Sequence, residues 1–168
     1  HPTERLAANA RPAPAWRDEL RRIPNLRNAF AVVFLYAQTI GIVVAAVWID
    51  NVFVWALAFV LMGRAHAQFA ALMHEAAHRL LFRNRRVNDW VGRWLLGFPA
   101  FTPIDLYRRG HMAHHRDEFG PDEPDIPLYR GYPIARASMR RKLTRDATGR
   151  TGLKLFRGLL RGVRAPEP

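Results

Sequence analysis

Five of the seven histidines in this sequence fall into two short clusters. His74 and His78 lie four residues apart, and His111, His114 and His115 follow with spacings of three and four residues. Residues three or four apart share one face of a helix, so each cluster would present its imidazole rings together. Because a neutral imidazole nitrogen is the commonest metal ligand in proteins, the two clusters predict a metal site.

The sequence indicates where a metal would bind more clearly than it indicates which metal would bind. Imidazole suits zinc, copper, iron and nickel, so the ligand type does not choose between them. Five histidines exceed the ligand number of one tetrahedral zinc site, which favours two metals or one metal with a larger coordination shell. A further histidine, His66, stands alone, and a lone helical histidine is more often structural than a ligand.

An alternative function would use the first cluster by itself. Residues His74 to His78 read HEAAH, which matches the H-E-x-x-H helix of zinc metalloproteases with Glu75 as the general base. An intramembrane protease of this kind would leave the three histidines of the second cluster unused. It would also need a third zinc ligand, and the only candidates are acidic residues in segments that are predicted to be loops.

Two apolar segments lead into the first cluster. Ala29 to Ile49 carries no charge over 21 residues, which as a helix would span about 30 Å of hydrocarbon. Asp50-Asn51 interrupts this run, and a second one starts at Val52 and continues without proline, which predicts a helix to about Phe82. A cleaved signal peptide is disfavoured because the apolar regions of signal peptides are shorter than this 21-residue run. The two segments therefore predict a transmembrane hairpin.

The charge distribution agrees with a membrane protein. The formal net charge is +12, and basic residues flank the outer ends of the hairpin but not its turn. By the positive-inside rule, the N-terminus and everything after Arg79 would face the cytoplasm. A nucleic-acid-binding module is disfavoured, because it does not need twenty uncharged, mostly apolar residues in a row. The absence of cysteine excludes disulfides and cysteine-based metal sites.

The remaining sequence predicts further helices on the same side of the membrane. Asn88 to Phe98 has Trp90 and Trp94 one helical turn apart and predicts an interfacial helix, or else an amphipathic core helix. Pro99 and Pro103 then interrupt the chain.

Tyr107 to Arg116 is again compatible with a helix, and residues 117–133 form an acidic, proline-rich loop. The tail from Arg136 to Arg164 is basic and compatible with helix, with Gly149 and Gly152 as predicted interruptions. This tail would suit anionic lipid headgroups, or it would form a solvated basic face.

These motifs resemble the membrane fatty acid desaturase family, and most closely its bacterial acyl-lipid and sphingolipid members. The boxes HEAAH and HMAHH follow a predicted hairpin and lie some thirty residues apart. The resemblance covers roughly Phe30 to Pro133. Its other matching positions are Leu81-Phe82, Asn88, Trp94, Tyr107-Arg108 and the acidic Asp122-Glu123-Pro124-Asp125.

The resemblance implies an all-α integral membrane fold, with one transmembrane hairpin and cytoplasmic helices that carry the histidine boxes. A polar basic segment, residues 1–28, would precede a desaturase-like domain, residues 29–168. Within that domain we expect the hairpin at about 29–73, the box region at 74–133 and a basic tail at 134–168. It also implies a di-iron centre whose ligands are His74, His78, His111, His114 and His115.

The implied function is O2-dependent desaturation of an acyl-lipid at a bacterial cytoplasmic membrane by a multi-pass protein. Its electrons would come from a ferredoxin, a rubredoxin or a cytochrome b5-like protein. Related enzymes that hydroxylate alkanes or oxidise carotenoids remain an alternative. The family has a third HxxHH box, and no histidine follows His115, so we expect a truncated chain.

Two sets of residues are candidates for supporting roles. Carboxylates that orient the imidazole N–H groups would come from Glu75, Asp122 or Asp125, although a solvated surface acid is the more common role for each of them. A basic face could steer an acidic electron donor, or simply reflect the positive-inside rule. Its members are Arg83, Arg85, Arg86, Arg108 and Arg109.

Overall fold

The structure is a computed structural model that describes residues 4–7, 9, 11–126 and 132–164. These residues confirm the predicted all-α class, since they form helices and turns and contain no strand beyond an isolated bridge between Leu6 and Pro12. The helices are α1 (Pro14–Leu20), α2 (Asn25–Ile49), α3 (Val52–Ala77), α4 (Arg85–Trp90), a π-helical segment (Val91–Gly97), α5 (Ile104–Arg116), α6 (Arg136–Ala147) and α7 (Arg150–Arg164). The chain divides into two compact units, one ending at Arg109 and the other starting at Gly110.

Helices α2 and α3 pack against each other through a small apolar core. Leu35 and Phe69 are both buried in it, and the ring of Tyr36 meets the ring of Phe69 edge-on at 5.3 Å between centroids. Polar side chains also join the two helices. The amide of Gln38 donates to Gln68 at 2.9 Å and accepts from Arg64 at 2.9 Å.

The break between α2 and α3 falls where the sequence predicts it. Asp50 adopts a left-handed conformation, with φ of 44°, and ends α2. The side chain of Asn51 then accepts a hydrogen bond from the Phe53 N–H at 2.9 Å, which caps the start of α3.

Two stretches, Pro14–Ile49 and Val52–Ala77, are long and apolar enough to cross a membrane. Only 17 % of each apolar window is buried inside the protein. Large side chains such as Trp48, Phe53 and Phe59 are more than three-quarters exposed, at 86, 79 and 82 %. An apolar surface of this extent favours lipid over water and indicates that the chain associates with a membrane.

The end of α3 differs from the sequence prediction. The helix ends at Ala77, not at about Phe82. Arg79 takes a left-handed conformation with φ of 61°, its N–H bonds to the Ala76 carbonyl at 3.0 Å, and the Leu80 N–H reaches the Glu75 carbonyl at 2.9 Å. This pair of bonds is the Schellman arrangement, which here forms without glycine and therefore left no signal in the sequence.

The next helix starts earlier than predicted and changes its geometry midway. Asn84 caps α4 by accepting from the Arg86 and Val87 N–H groups, so the helix begins at Arg85 and not at Asn88. After Trp90 the backbone continues as the π-helical segment.

Asn88, which belongs to α4, is fully buried against the end of α3. Its side-chain oxygen accepts from the Leu81 and Phe82 N–H groups, both at 3.2 Å, and its amide donates to the Ala76 carbonyl at 2.8 Å. One side chain thus satisfies two N–H groups of the segment that follows α3 and adds a hydrogen bond to a carbonyl of its last turn.

The second unit contains the end of α5, a loop and two basic helices. Helix α5 begins at Ile104, three residues before the predicted start, and residues 117–125 form turns and bends, as predicted for the acidic loop. Residues 127–131 of that loop lie outside the described residues. Gly149, with φ of 72°, interrupts the basic tail as predicted. The predicted interruption at Gly152 is wrong, because Gly152 lies within α7.

We predict that Asn88→Ala destabilises the protein by roughly 2 to 4 kcal/mol, because it leaves buried backbone groups without hydrogen bonds. Asn84→Ala is the matched control, since it removes an exposed helix cap and should cost only about 1 kcal/mol. Thermal unfolding of both variants in detergent measures the difference. Equal losses at the two positions would contradict the role given to Asn88.

Candidate metal centre

The first histidine pair lies at the end of α3. His74 is in the last turn, and His78 is the residue that caps the helix. Their rings are partly buried, and their centroids are 4.7 Å apart, so the i, i+4 spacing brings them together as predicted. The Tyr107 hydroxyl lies 3.0 Å from Nδ1 of His74. That contact leaves Nε2 as the atom with which His74 would bind a metal.

Arg108 holds the backbone that carries this pair. Its guanidinium donates to the Ala77 carbonyl at 2.9 Å and to the Ala76 carbonyl at 3.1 Å, and it pairs with Asp89 at 2.6 Å. The Arg108 side chain is only 17 % exposed. A cation at the last carbonyls of a helix is favourable, because those groups carry the negative end of the helix dipole.

The acid that faces Arg108 has a shifted pKa. Burial by itself would raise the pKa of Asp89, but hydrogen bonds from Asn88 and Arg108 and the positive charges of Arg108 and Arg79 outweigh it. The pKa of Asp89 is therefore lowered from its ordinary value.

The second histidine group lies on α5. The rings of His111 and His115 are 4.6 Å apart, and His114 lies 5.9 and 5.3 Å from them, measured between centroids. The Nε2 atoms of His111 and His115 are 3.1 Å apart. This distance suits a hydrogen bond between the rings, and it also equals the separation of about 3 Å expected for two nitrogens bound at right angles to one cation at about 2.1 Å.

His114 has a buried carboxylate partner that the sequence analysis missed. Glu123 Oε1 lies 2.7 Å from Nδ1 of His114, and the Glu123 side chain is fully buried. The same carboxylate accepts the Phe119 and Asp125 N–H groups at 3.2 and 3.0 Å. Glu123 therefore fixes both the loop and the ring. Only its place in the acidic Asp122–Asp125 stretch could have signalled this role.

The carboxylates that were predicted to orient the imidazole rings lie in different surroundings. Asp125 lies 3.6 Å from Nδ1 of His114, close enough to add to its electrostatic surroundings. Asp122 is exposed, and its backbone N–H bonds to Asp117 at 2.7 Å. Glu75 is exposed as well, as is the lone His66.

The acidic surroundings of His114 shift its pKa. The hydrogen bond to Glu123 makes the largest contribution, and the negative charges of Glu123, Asp125 and Glu118 act in the same direction. The pKa of His114 is therefore raised above its ordinary value. The atoms of His114, Glu123 and Asp125 lie within 4.8 Å of one another, as in some metal sites. Because the ring nitrogen and carboxylate are at hydrogen-bond distance, we interpret the contact as orientation of the ring.

The five predicted ligands thus form two groups, each in its own compact unit, and each group brings its rings together. The prediction that both groups serve one metal centre stays a prediction.

Comparison with known proteins gives one family and two relatives. The family model for fatty acid desaturases matches residues 50–166, which include both histidine clusters. The sn-1 oleoyl-lipid 12-desaturase of Arthrospira platensis is 32 % identical over 89 residues, and that of Anabaena variabilis is 28 % identical over 99 residues. These alignments cover 53 and 59 % of this chain but only 25 and 28 % of the relatives, so the chain spans about a quarter of their length. No solved structure matches it significantly.

We predict that Asp89 contributes acid-sensitive stability. Since its pKa is lower in the folded than in the unfolded chain, the contribution is present above the ordinary pKa of about 3.9 and is lost as the pH falls through the folded value. Asp89→Asn should lower the unfolding temperature at neutral pH and flatten its decline toward about pH 3. The exposed Asp18→Asn is the control. An Asp89→Asn profile parallel to that of the parent would refute the assignment.

We predict that Glu123→Gln lowers the pKa of His114 in the metal-free protein, because the neutral amide no longer stabilises the imidazolium ion. NMR titration of ring-labelled histidine measures this value directly. Asp122→Asn, one position away and out of contact with the ring, should leave the value unchanged. An unaltered His114 pKa in the Glu123→Gln variant would show that Glu123 does not face the ring in solution.

Proposed function

Because this chain belongs to the fatty acid desaturase family of oxidoreductases, we propose that it is part of a membrane-bound acyl-lipid desaturase. The proposed reaction introduces a C=C bond into an acyl chain of a lipid and uses O2. The family match across both histidine clusters carries the proposal, since it joins two motifs that separate functions would not require together. The desaturase-like domain would comprise residues 29–168.

The proposed cofactor is a pair of iron ions. Its ligands would be His74, His78, His111, His114 and His115. Iron would supply the strong oxidant that hydrogen removal from an unactivated alkyl chain requires, which no side chain provides. The imidazole donor set supports this assignment, because the rings within each group are neighbours and imidazole suits iron.

The chain's own groups would prepare these ligands for the metal. Glu123 accepts the Nδ1–H of His114, so the lone pair of that ring lies on Nε2. Tyr107 engages Nδ1 of His74 in the equivalent position. By fixing the angle of both rings, and the tautomer of His114, these contacts would reduce the entropy that is lost when the metal binds.

The proposed membrane arrangement follows from the charge pattern. Helices α2 and α3 would span a bacterial cytoplasmic membrane in a multi-pass protein, with the turn at Asp50 and Asn51 on the outer side. The N-terminus and the histidine clusters would then face the cytoplasm, since Arg21, Arg22 and Arg27 precede the apolar run of α2.

A separate protein would deliver the electrons, and ferredoxin, rubredoxin and cytochrome b5-like proteins are the proposed classes. Their acidic surfaces would be attracted to exposed arginines, including Arg85, Arg86 and Arg109. Arg108 does not belong to this steering face, because its guanidinium is engaged by the α3 carbonyls and by Asp89.

The alternatives differ in product and in metal. A related hydroxylase or carotenoid ketolase would leave a new oxygen on its substrate, whereas a desaturase removes two hydrogens. A zinc protease would need His74 and His78 but not His114. The family match through residue 166 favours an enzyme that uses both groups.

We predict that His114→Ala, in the complete protein that contains this chain, loses iron and abolishes formation of new double bonds, because a ligand is removed. Iron content by mass spectrometry of metals and the lipid profile of a host lacking the activity provide the two measurements. His66→Ala is the matched control and should retain both.

If the lipid product instead gained one oxygen atom, the enzyme would be a hydroxylase and not a desaturase. Stoichiometric zinc that survives His114→Ala but not His74→Ala would overturn the di-iron proposal in favour of the protease.

A further inference from the structure

Helix α7, the last described element, exposes apolar side chains that nothing in the described structure covers. Leu153, Leu155 and Phe156 are 50, 64 and 54 % exposed. A Cβ atom placed on Gly152 or Gly158 would meet no atom within 4 Å, so no other described element packs against these positions. Three apolar residues on one short helix therefore lie open to the surroundings.

The basic residues of α7 occupy the opposite side of the helix. At 100° per residue, they fall within an arc of about 80°, while the apolar residues fill an arc of about 160° on the other side. The basic positions are Arg150, Lys154, Arg157, Arg161 and Arg164. The apolar positions are Leu153, Leu155, Phe156, Leu159, Leu160 and Val163. The helix contains no acidic residue.

The composition of α7 indicates a helix that needs an external partner. Gly152, Gly158 and Gly162 each lower its helix propensity, and a helix of 15 residues is marginal by itself in water. Its connection to α6 is local: Thr151 bonds to Asp146 and accepts from Arg145 at 3.1 Å. These bonds fix the turn at Gly149 and leave Leu153, Leu155 and Phe156 exposed.

We infer that α7 lies in the plane of an anionic membrane surface. The apolar arc enters the boundary between headgroups and acyl chains, and the lysine and arginine side chains contact lipid phosphates. A nucleic acid would satisfy the basic arc but leave the wider apolar arc in water. The inference rests on membrane insertion of α2 and α3 under the proposed function, and it is independent of desaturation.

The absence of cysteine permits a direct test with single-cysteine probes in the full chain. Phe156→Cys and Lys154→Cys, each labelled with an environment-sensitive fluorophore, report the apolar and basic sides of α7. The chain is reconstituted in vesicles of phosphatidylcholine with phosphatidylglycerol, and in phosphatidylcholine alone. Resistance to carbonate extraction checks insertion through α2 and α3 separately.

With phosphatidylglycerol present, we expect the probe at 156 to shift its emission to the blue and to be quenched by spin-labelled lipid. Its quenching by aqueous acrylamide should be at least ~3-fold weaker than at 154. Replacing Arg150, Lys154 and Arg157 together by glutamine should reverse much of this shielding, as should omission of phosphatidylglycerol.

Two results would overturn the inference while leaving the proposed function intact. Equal acrylamide quenching at 156 and 154 in inserted chains would show a solvated helix. A probe at 156 that is shielded from acrylamide but not quenched by spin-labelled lipid would show that protein, and not lipid, covers the apolar face. Failure of carbonate-resistant insertion would instead contradict the proposed membrane arrangement itself.

Discussion

The end of α3 is the constraint on which the position of the first histidine pair depends. A helix that stops inside a protein leaves carbonyl groups without partners, and a buried carbonyl without a hydrogen bond is costly. Here the last carbonyls, those of Ala76 and Ala77, bond to Asn88 and Arg108. The helix end at His78 therefore combines the local turn at Arg79 with side chains that lie 12 to 32 residues beyond Ala76 along the chain.

The two alanines of HEAAH fix the position of the helix end that carries the first histidine pair. Ala76 and Ala77 are buried, whereas Glu75 is exposed, so the motif divides into a packing face and an outer face. A Cβ atom on Gly92 would lie 2.7 Å from the Cβ of Ala76 and 2.5 Å from a methyl of Ile104. Contacts this close tolerate no larger side chain, so small residues on both sides set the distance between α3 and the π-helical segment. The spacing of the histidines thus places their two rings together, and the two alanines between them provide the packing.

Whether a structural feature could be predicted from the sequence depends on whether neighbouring residues cause it. The break at Asp50 and Asn51 and the helix of the second histidine group follow from neighbouring residues, and both predictions are confirmed. The end of α3 depends on distant residues and on a left-handed Arg79, so apolar continuity misplaced it. Glu123 was missed for a different reason: its cause is local, but the sequence does not show which of several neighbouring acids the loop buries.

The two histidine groups are consequently built by different physical means. The first is set by long-range contacts, since Tyr107 and Arg108 reach it from more than thirty residues away. The second is set locally, because Glu123 lies nine residues beyond His114 and needs only the intervening turn to reach it. A short loop loses little entropy on closing, so the second group depends less on packing elsewhere in the chain. The geometry of the first group, by contrast, requires α3, α4 and the start of α5 to be folded together.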